Sequence, residues 1–279
     1  MTRVVVDSGW DMDSAARDRL QDVDLQIVPL TLCLDGQDLL DDDSLDLQDF
    51  LRQVEASASG PSTAAPSPQL YLDAYGQADE VYTVTLSSKL SGSFDSACLA
   101  ARLWAQRLPG ALAQVFDSLS ASVGESLVVL QIAELLRQRL PRPELIGNVQ
   151  RYIKDLNVFI ILDSYDTLIK TGRVSRVVGT MAELLRIKCI CAGIDGEIKL
   201  VGKARNYAKA LKELIRMMQG KIDDFSNKIL AISHCEAAEK ALATQRAILD
   251  VLPFKDSFIT TTGGLCTTYA SRGGIVVAF

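Results

Sequence analysis

Short apolar runs alternate with longer segments of helical periodicity in the first half of the chain. Residues 3–6, 81–86 and 113–118 are apolar or alternate between apolar and polar side chains, as strands do. Helical patterns follow, in which apolar residues recur every three or four positions. Strands and helices that alternate in this way are typical of α/β proteins.

The pattern changes after residue 155. Strands are predicted at residues 157–163, 188–192, 228–233 and 256–261, and helices at 207–219 and 236–249. Asp195-Gly196 suits a two-residue turn, so a β-hairpin is predicted there. We therefore predict two domains, an α/β domain over residues 1–155 and an α+β domain over residues 156–279.

The turn between the predicted strand at residues 81–86 and the next helix carries the clearest chemical signal. It reads L-S-S-K-L-S-G-S-F-D-S-A over residues 86–97. A strand ends here and a helix begins, and the first N–H groups of a helix are unpaired and favour an anion. Ser91, Gly92 and Ser93 are therefore candidate anion-binding residues. On this stretch alone, a plain helix cap formed by Ser91 or Ser93 is the simpler interpretation.

Composition narrows the class of protein. Apolar residues make up 48% of the 279 positions and the formal charge is −6, which favours a substantial core and argues against binding to nucleic acid. No apolar run reaches transmembrane length, and a strand pattern begins at once, so we expect a cytoplasmic protein without stable membrane insertion. The six cysteines lack paired spacing and are predicted to be buried thiols.

Two polar stretches have competing interpretations. An acid-rich run leads into a predicted helix at residues 45–56, where acids complement the helix dipole. Its members are Asp38, Asp41, Asp42, Asp43 and Asp46. A cation site is the alternative, but the pattern of an EF-hand is missing, and we predict neither a metal nor a cofactor. Residues 57–68 form a loop stiffened by three prolines, which could hold the hydroxyl of Thr63 in place.

Several of these segments resemble one family. The turn at residues 86–97 is similar to the L-S-S-x-L-S-G-T-Y-x-S-A signature of the DegV family, and residues 168–175 resemble its L-x-K-G-G-R-I-S segment. Thr63 and Pro66-Ser67-Pro68 match T-S-Q-P-S-P, and Lys203-Ala204-Arg205 matches K-x-R. The resemblance covers almost the whole chain in the right order.

The resemblance implies a two-domain fold with a Rossmann-like N-terminal domain built on a parallel sheet. It also implies a protein that binds a long-chain fatty acid in a buried tunnel and presents the carboxylate to a separate ATP-dependent fatty acid kinase subunit. The chain has no phosphate-cradling P-loop, so we predict that it is not an enzyme and that the partner supplies ATP.

The resemblance assigns residues to two roles. The family motif T-H-x-G-P-G is matched to residues 260–264, with Thr261 in place of the histidine. The head-group residues it implies are Thr63, Ser91, Gly92, Ser93, Thr261 and Thr262. Four basic residues that flank the predicted hairpin are candidates for docking the partner, with an ordinary solvated surface as the alternative: Arg173, Arg176, Lys203 and Arg205.

Two other functions remain open at this point. The protein could bind or sense another small organic anion, since the family histidine is replaced. It could also be a hydrolase with Ser91 as nucleophile, but this would require the only histidine, His234, as the base. No G-x-S-x-G elbow supports the hydrolase.

Overall fold

The computed structural model describes residues 1–108, 110–174 and 187–279. The strands of this part of the chain are β1 Thr2–Asp7, β2 Leu25–Val28, β3 Thr31–Leu34, β4 Gln37–Leu40, β5 Ser62–Ala64, β6 Glu80–Thr85, β7 Leu112–Asp117, β8 Val158–Ile161, β9 Lys188–Ile194, β10 Glu197–Ala204, β11 Ile229–His234, β12 Asp256–Thr261 and β13 Ile275–Ala278. The helices are α1 Ser14–Arg17, α2 Leu47–Ala56, α3 Pro68–Tyr75, α4 Ser93–Arg107, α5 Val123–Arg137, α6 Arg142–Asp155, α7 Asp166–Lys170, α8 Tyr207–Gln219, α9 Ala238–Leu249 and α10 Gly264–Ala270.

A parallel sheet of four strands, ordered β2-β1-β6-β7, forms the centre of the N-terminal half. Val4, Val5 and Val6 on β1 are fully buried, as expected for a strand covered on both faces. All the neighbouring strands run parallel. The predicted α/β fold with a parallel sheet is confirmed.

A mixed sheet of six strands, ordered β10-β9-β8-β13-β11-β12, follows helix α6. Its strand pairs are antiparallel except for β11 and β12, which are parallel. Strands β9 and β10 form the predicted hairpin. Asp195 (φ 53°) and Gly196 (φ 81°) both adopt the left-handed conformation that a two-residue turn requires.

A small antiparallel sheet, ordered β4-β3-β5, departs from the sequence prediction in two ways. Pro29 divides the predicted continuous strand over residues 25–32 into β2 and β3. Within the predicted loop at residues 57–68, residues 62–64 pair with β3, and Thr63 lies opposite Leu32. Backbone pairing therefore fixes Thr63 more firmly than a loop would.

Helix α5 lies between the two larger sheets and contacts strands of both. One apolar core joins its side chains to Val4 and Tyr82 of the parallel sheet and to Val158 and Val276 of the mixed sheet. The two halves of the chain therefore share a continuous hydrophobic core.

Two aspartates of the acidic run before α2, Asp41 and Asp46, cap helices. Asp46 accepts hydrogen bonds from the N–H groups of Gln48 and Asp49, 3.0 and 2.9 Å away, at the start of α2. Asp41 accepts from Gly264 N at 2.8 Å and from Leu265 N at 2.9 Å at the start of α10. These bonds satisfy N–H groups that the helices leave unpaired.

Two further expectations concern cysteines and membrane helices. All six cysteines are free thiols, as predicted; four are buried, whereas Cys33 and Cys98 are half-buried. Among the described residues, no helix is both long enough and apolar enough to cross a membrane.

Candidate functional site

An apolar cavity lies between the two halves of the chain. It contains ≈ 870 Å³ of atom-free space with its open mouth included. The aliphatic side chains that line it are Leu30, Leu86, Leu90, Leu119, Val158, Ile160, Leu162, Leu168, Ile198, Leu265 and Val276.

Four polar residues of the lining lie close together at what we call the polar end: Thr63, Ser91, Arg173 and Tyr269. Ser120, Ser122 and Glu197 also line the cavity. Thr63 Oγ1 lies 2.8 Å from the Tyr269 hydroxyl. The Arg173 guanidinium carbon lies 5.1 Å from the centre of the Tyr269 ring, and Arg173 Nε donates to Leu90 O at 3.2 Å. Strand β5, the turn before α4, the segment after α7 and helix α10 therefore each bring one side chain to the polar end.

The two serines of the predicted turn face different surroundings. Ser91 lines the cavity, and its Oγ accepts a hydrogen bond from Ser93 N at 3.2 Å. Ser93 is fully buried, and its hydroxyl donates to Asp7 Oδ2 and lies 2.6 Å from the Tyr71 hydroxyl. The Ser93 side chain is thus occupied inside the N-terminal half. Gly92 is exposed at the N-cap of α4 and does not line the cavity.

Thr261 and Thr262, the other two predicted head-group residues, do not line this cavity. They border a separate polar depression that also contains Asp42 and Asp43. Thr261 is exposed, and the Thr262 hydroxyl lies 2.7 Å from that of Thr267. The structure therefore brings Thr63 and Ser91 together at the cavity and leaves these two threonines outside it.

Tyr269 was missed by the sequence analysis because the T-H-x-G-P-G motif fits this chain in two places. The frame Thr268-Tyr269-Ala270-Ser271-Arg272-Gly273 has the same spacing and places Tyr269 at the histidine position. Ser271 (φ 55°) and Gly273 (φ 87°) are in the left-handed conformation that explains the glycines of the motif. The available signal was the second glycine pair, Gly273-Gly274.

Buried carboxyl groups support the cavity from the N-terminal half. Asp7 accepts hydrogen bonds from Gly9 N at 2.9 Å and from Leu86 N at 3.1 Å. Burial raises the pKa of Asp7 to about 6, although these two bonds and the one from Ser93 each lower it. Asp11 accepts from Ser233 Oγ at 2.6 Å and Gly263 N at 2.8 Å, and burial raises its pKa as well. The carboxyl groups of Asp7 and Asp11 therefore hold separate loops of the protein together by hydrogen bonds.

Glu125, on the first turn of α5, is the unusual member of this group. It is fully buried, and neither carboxyl oxygen has a hydrogen-bond partner in the described part of the chain. Burial, followed by the charge of Asp7, raises the pKa of Glu125 well above its usual value. A neutral carboxylic acid is therefore favoured at this position.

The predicted docking residues are not in one cluster. Val174 bridges to Ile198 on β10, which places Arg173 near that point, whereas Lys203 lies five residues further along the same strand, about 16 Å away. Lys203 and Arg205 are exposed. Arg176 lies outside the described residues.

His234 lies at the end of β11 and does not line the cavity. Its Nδ1 accepts a hydrogen bond from Ala237 N at 3.2 Å, and burial lowers its pKa. Since the chain has no other histidine, Ser91 has no imidazole base at the cavity.

Known proteins resemble this chain over its full length. A family model described as "Uncharacterised protein, DegV family" matches residues 1–279. A DegV domain-containing protein of Streptococcus pyogenes serotype M1 is 31% identical over 280 residues, which cover 99% of this chain and 98% of that protein.

Solved structures agree with the family match. A DegV family protein of Ruminococcus gnavus with vaccenic acid has a TM-score of 0.93 and 33% identity and covers 100% of this chain and 99% of that one. The Fatty Acid Kinase (Fak) B3 protein of Streptococcus pneumoniae, loaded with linoleic acid, has a TM-score of 0.90 and 28% identity with the same coverage. On the full-length family match and these shared folds, the chain belongs to the DegV family.

Proposed function

We propose that this protein binds one long-chain fatty acid in the apolar cavity and holds its carboxylate at the polar end. The observation that carries the proposal is the cavity lined mainly by aliphatic side chains, with the hydroxyls of Thr63 and Ser91 in its wall. Related structures hold vaccenic, heptadecanoic and linoleic acid. Each of these acids is an unbranched chain with one carboxylate, which fits a mainly aliphatic cavity with a group of hydrogen-bond donors in its wall.

The acyl chain supplies most of the affinity in this proposal. Transfer of about 15 methylenes from water, at about 0.8 kcal/mol each, contributes on the order of 12 kcal/mol before the costs of association are subtracted. The carboxylate contributes orientation, because the charged end binds well only where donors are available.

The polar end offers donors of three kinds to a carboxylate. Hydroxyl groups come from Thr63, Ser91 and Tyr269, and the guanidinium of Arg173 adds a positive charge beside them. The first N–H groups of α4 lie next to Ser91 and favour negative charge. Thr63 and Ser91 are the primary head-group ligands in this proposal, and Tyr269 orients Thr63.

Native mass spectrometry of the purified protein tests the ligand directly. We expect a co-purified mass of one long-chain acid, because a ligand that buries so much apolar surface dissociates slowly. Ser91→Ala and Thr63→Val should reduce the bound fraction, whereas Thr261→Val, outside the cavity, should not. An empty protein, or one that carries a small polar acid, would contradict the lipid assignment and favour the alternative of another organic anion.

We further propose that the bound carboxylate is presented to a separate ATP-dependent kinase subunit. The resemblance to the Fak B3 protein supports this role. Arg173, Arg176, Lys203 and Arg205 are the proposed docking residues, and the partner supplies ATP. The test is acyl-phosphate formation when a fatty acid kinase catalytic subunit is added with ATP. Turnover of ATP by this protein alone would contradict the proposal that the partner subunit supplies ATP.

A further inference from the structure

The tip of the β9–β10 hairpin, residues 193–198, extends beyond the strand that holds the rest of the hairpin in its sheet. Among the described residues, β9 pairs with β8 only at Cys191 and Ala192. The tip residues pair with each other across the turn, and Val174 bridges to Ile198 at the base of the tip. The position of the tip therefore depends on contacts with segments outside the six-stranded sheet.

The end of the tip packs against two turns of the N-terminal half. Ser87 is fully buried, and its Oγ donates a hydrogen bond to Gly196 O at 2.7 Å. A Cβ atom at position 196 would lie 2.6 Å from Ser87 Oγ, and it would also lie 3.1 Å from Lys89 Cγ and 3.2 Å from Leu119 Cδ2. This close approach, together with a φ of 81°, explains why the position is glycine.

The cavity meets solvent beside the same tip. Of the described residues that line it, Leu119 and Glu197 alone are exposed, and the others are buried or half-buried. Glu197 belongs to the tip, and Leu119 lies opposite, in the loop after β7. Leu119 is in the left-handed conformation (φ 50°), which is unusual for a bulky residue. Asp117 Oδ1 holds it there by accepting from Leu119 N at 3.0 Å.

Ser87 connects the tip to the turn that carries Ser91. Its carbonyl oxygen accepts hydrogen bonds from Leu90 N at 2.9 Å and from Ser91 N at 3.1 Å, and its own N–H donates to Ser120 O at 2.7 Å. Leu90, Ser91 and Ser120 all line the cavity. Movement of the tip away from Ser87 would therefore open the cavity wall next to the proposed head-group ligand.

We propose that the hairpin tip is a lid over the cavity and that the hydrogen bond between Ser87 and Gly196 is the latch that keeps it closed. This inference rests on the proposed function. Ser87 does not line the cavity, so its hydroxyl bonds the tip whether or not an acid is bound. Entry and exit of a long-chain acid both require this bond to break. The latch therefore controls the rate of ligand exchange and leaves the affinity unchanged.

Stopped-flow measurements with parinaric acid, a fluorescent long-chain acid, test the latch in Ser87→Ala. One net hydrogen bond corresponds to about a fivefold change in an equilibrium constant. We expect the association and dissociation rate constants both to rise about fivefold, and Kd to stay within about twofold of wild type. A residue that binds the ligand would behave differently, because its loss raises Kd.

Ser118→Ala is the matched control. Ser118 is as fully buried as Ser87, does not line the cavity, and lies in the loop after β7. The described hydrogen bonds of its hydroxyl stay within that loop, to the N and O atoms of Ser120. Ser118→Ala should therefore leave both rate constants at their wild-type values.

A reversible cross-link gives the opposite perturbation. Because a Cβ atom at position 196 would lie 2.6 Å from Ser87 Oγ, the Cβ atoms of the pair Ser87→Cys and Gly196→Cys would come within about 4.5 Å, the reach of a disulfide. Oxidation of this double variant should slow exchange of parinaric acid about tenfold or more, because a closed lid blocks release. The same protein after reduction is the reference.

Three results would overturn the inference. They are wild-type rate constants in Ser87→Ala, equal changes in Ser87→Ala and Ser118→Ala, and exchange in the oxidised double variant that is as fast as in the reduced one. A rise in Kd for Ser87→Ala without a rise in the association rate constant would also contradict a latch. A wild-type protein that binds no long-chain acid would instead refute the proposed function.

Discussion

The hydroxyls of Thr63 and Tyr269 lie 2.8 Å apart, although 206 positions separate these residues in the chain. Thr63 lies on the short strand β5 and Tyr269 on helix α10. Their contact ties the small antiparallel sheet to the C-terminal half at the polar end of the cavity. It also fixes the direction of the Thr63 hydroxyl, which is free to rotate in isolation.

Loss of the Tyr269 hydroxyl should therefore weaken fatty-acid binding without loss of the fold. For Tyr269→Phe we expect about a fivefold to tenfold rise in Kd, equivalent to about 1 kcal/mol for one hydrogen bond. Titration with a long-chain acid measures it. Tyr207→Phe is the control, because the Tyr207 hydroxyl lies outside the cavity and is 2.6 Å from Thr244 Oγ1. Equal effects of both substitutions would contradict the role of Tyr269.

Ser91 and Ser93 should separate affinity from stability. Ser93→Ala removes a donor to the buried Asp7 carboxylate and should lower the free energy of unfolding by about 1.5 to 3 kcal/mol. Ser91→Ala should leave the unfolding of the ligand-free protein nearly unchanged and raise the Kd for a fatty acid about tenfold. Chemical denaturation of the ligand-free variants and ligand titration give the two readouts. If Ser93→Ala impaired ligand binding and left the free energy of unfolding unchanged, our placement of the Ser93 hydroxyl would be wrong.

Glu125 should make the protein less stable as the pH rises. Its pKa is raised in the folded protein, so above its ordinary value of 4.5 the unfolded chain loses this proton first, and rising pH favours unfolding. Glu125→Gln removes the penalty, so at pH 7 we expect the variant to have a larger free energy of unfolding than wild type. The gain should vanish below about pH 4.5.

Denaturation of wild type and Glu125→Gln at several pH values measures this difference. The exposed Glu144 on α6 provides the control Glu144→Gln, which should show no such pH dependence. A Glu125→Gln protein that is less stable than wild type at pH 7 would mean that the carboxylate is charged and paired.

The basic residues should differ in what they affect. Arg173 contacts Tyr269 and Leu90 at the polar end, so Arg173→Ala should weaken both ligand binding and acyl-phosphate formation. Lys203→Ala should leave ligand binding unchanged and reduce acyl-phosphate formation, because Lys203 is exposed and distant. Ligand titration together with a kinase assay distinguishes the two effects. Wild-type kinase rates in Lys203→Ala would remove this residue from the proposed docking surface.

Local periodicity predicted much of the fold. The parallel strands, the β9–β10 hairpin and helix α8 follow from patterns of period two or 3.6 that each segment carries by itself. Strand β5 could not be predicted in this way, because residues 62–64 stand among prolines and serines and are held by pairing with the distant β3. Long-range pairing of this kind leaves no periodic signal in the segment itself.

The site was predictable only in part for a related reason. Ser91 and Ser93 are two residues apart on one turn, and the sequence does not reveal which hydroxyl faces the cavity and which faces Asp7. The glycine-rich motif allowed two frames, which are distinguished by the backbone angles of Ser271 and Gly273 and by the position of Tyr269 in the cavity lining. Thr63, which lines the cavity, could be chosen as a candidate because its proline-rich neighbours are distinctive.

The core that α5 forms with both sheets means that neither half of this chain should be autonomous. Truncation at residue 155 would remove Val158 and Val276 from the core that also contains Val4 and Tyr82, and it would expose apolar side chains of α5 to water. Heat should accordingly melt the intact molecule in a single cooperative step, and a ligand that bridges the halves should raise the melting temperature of the whole.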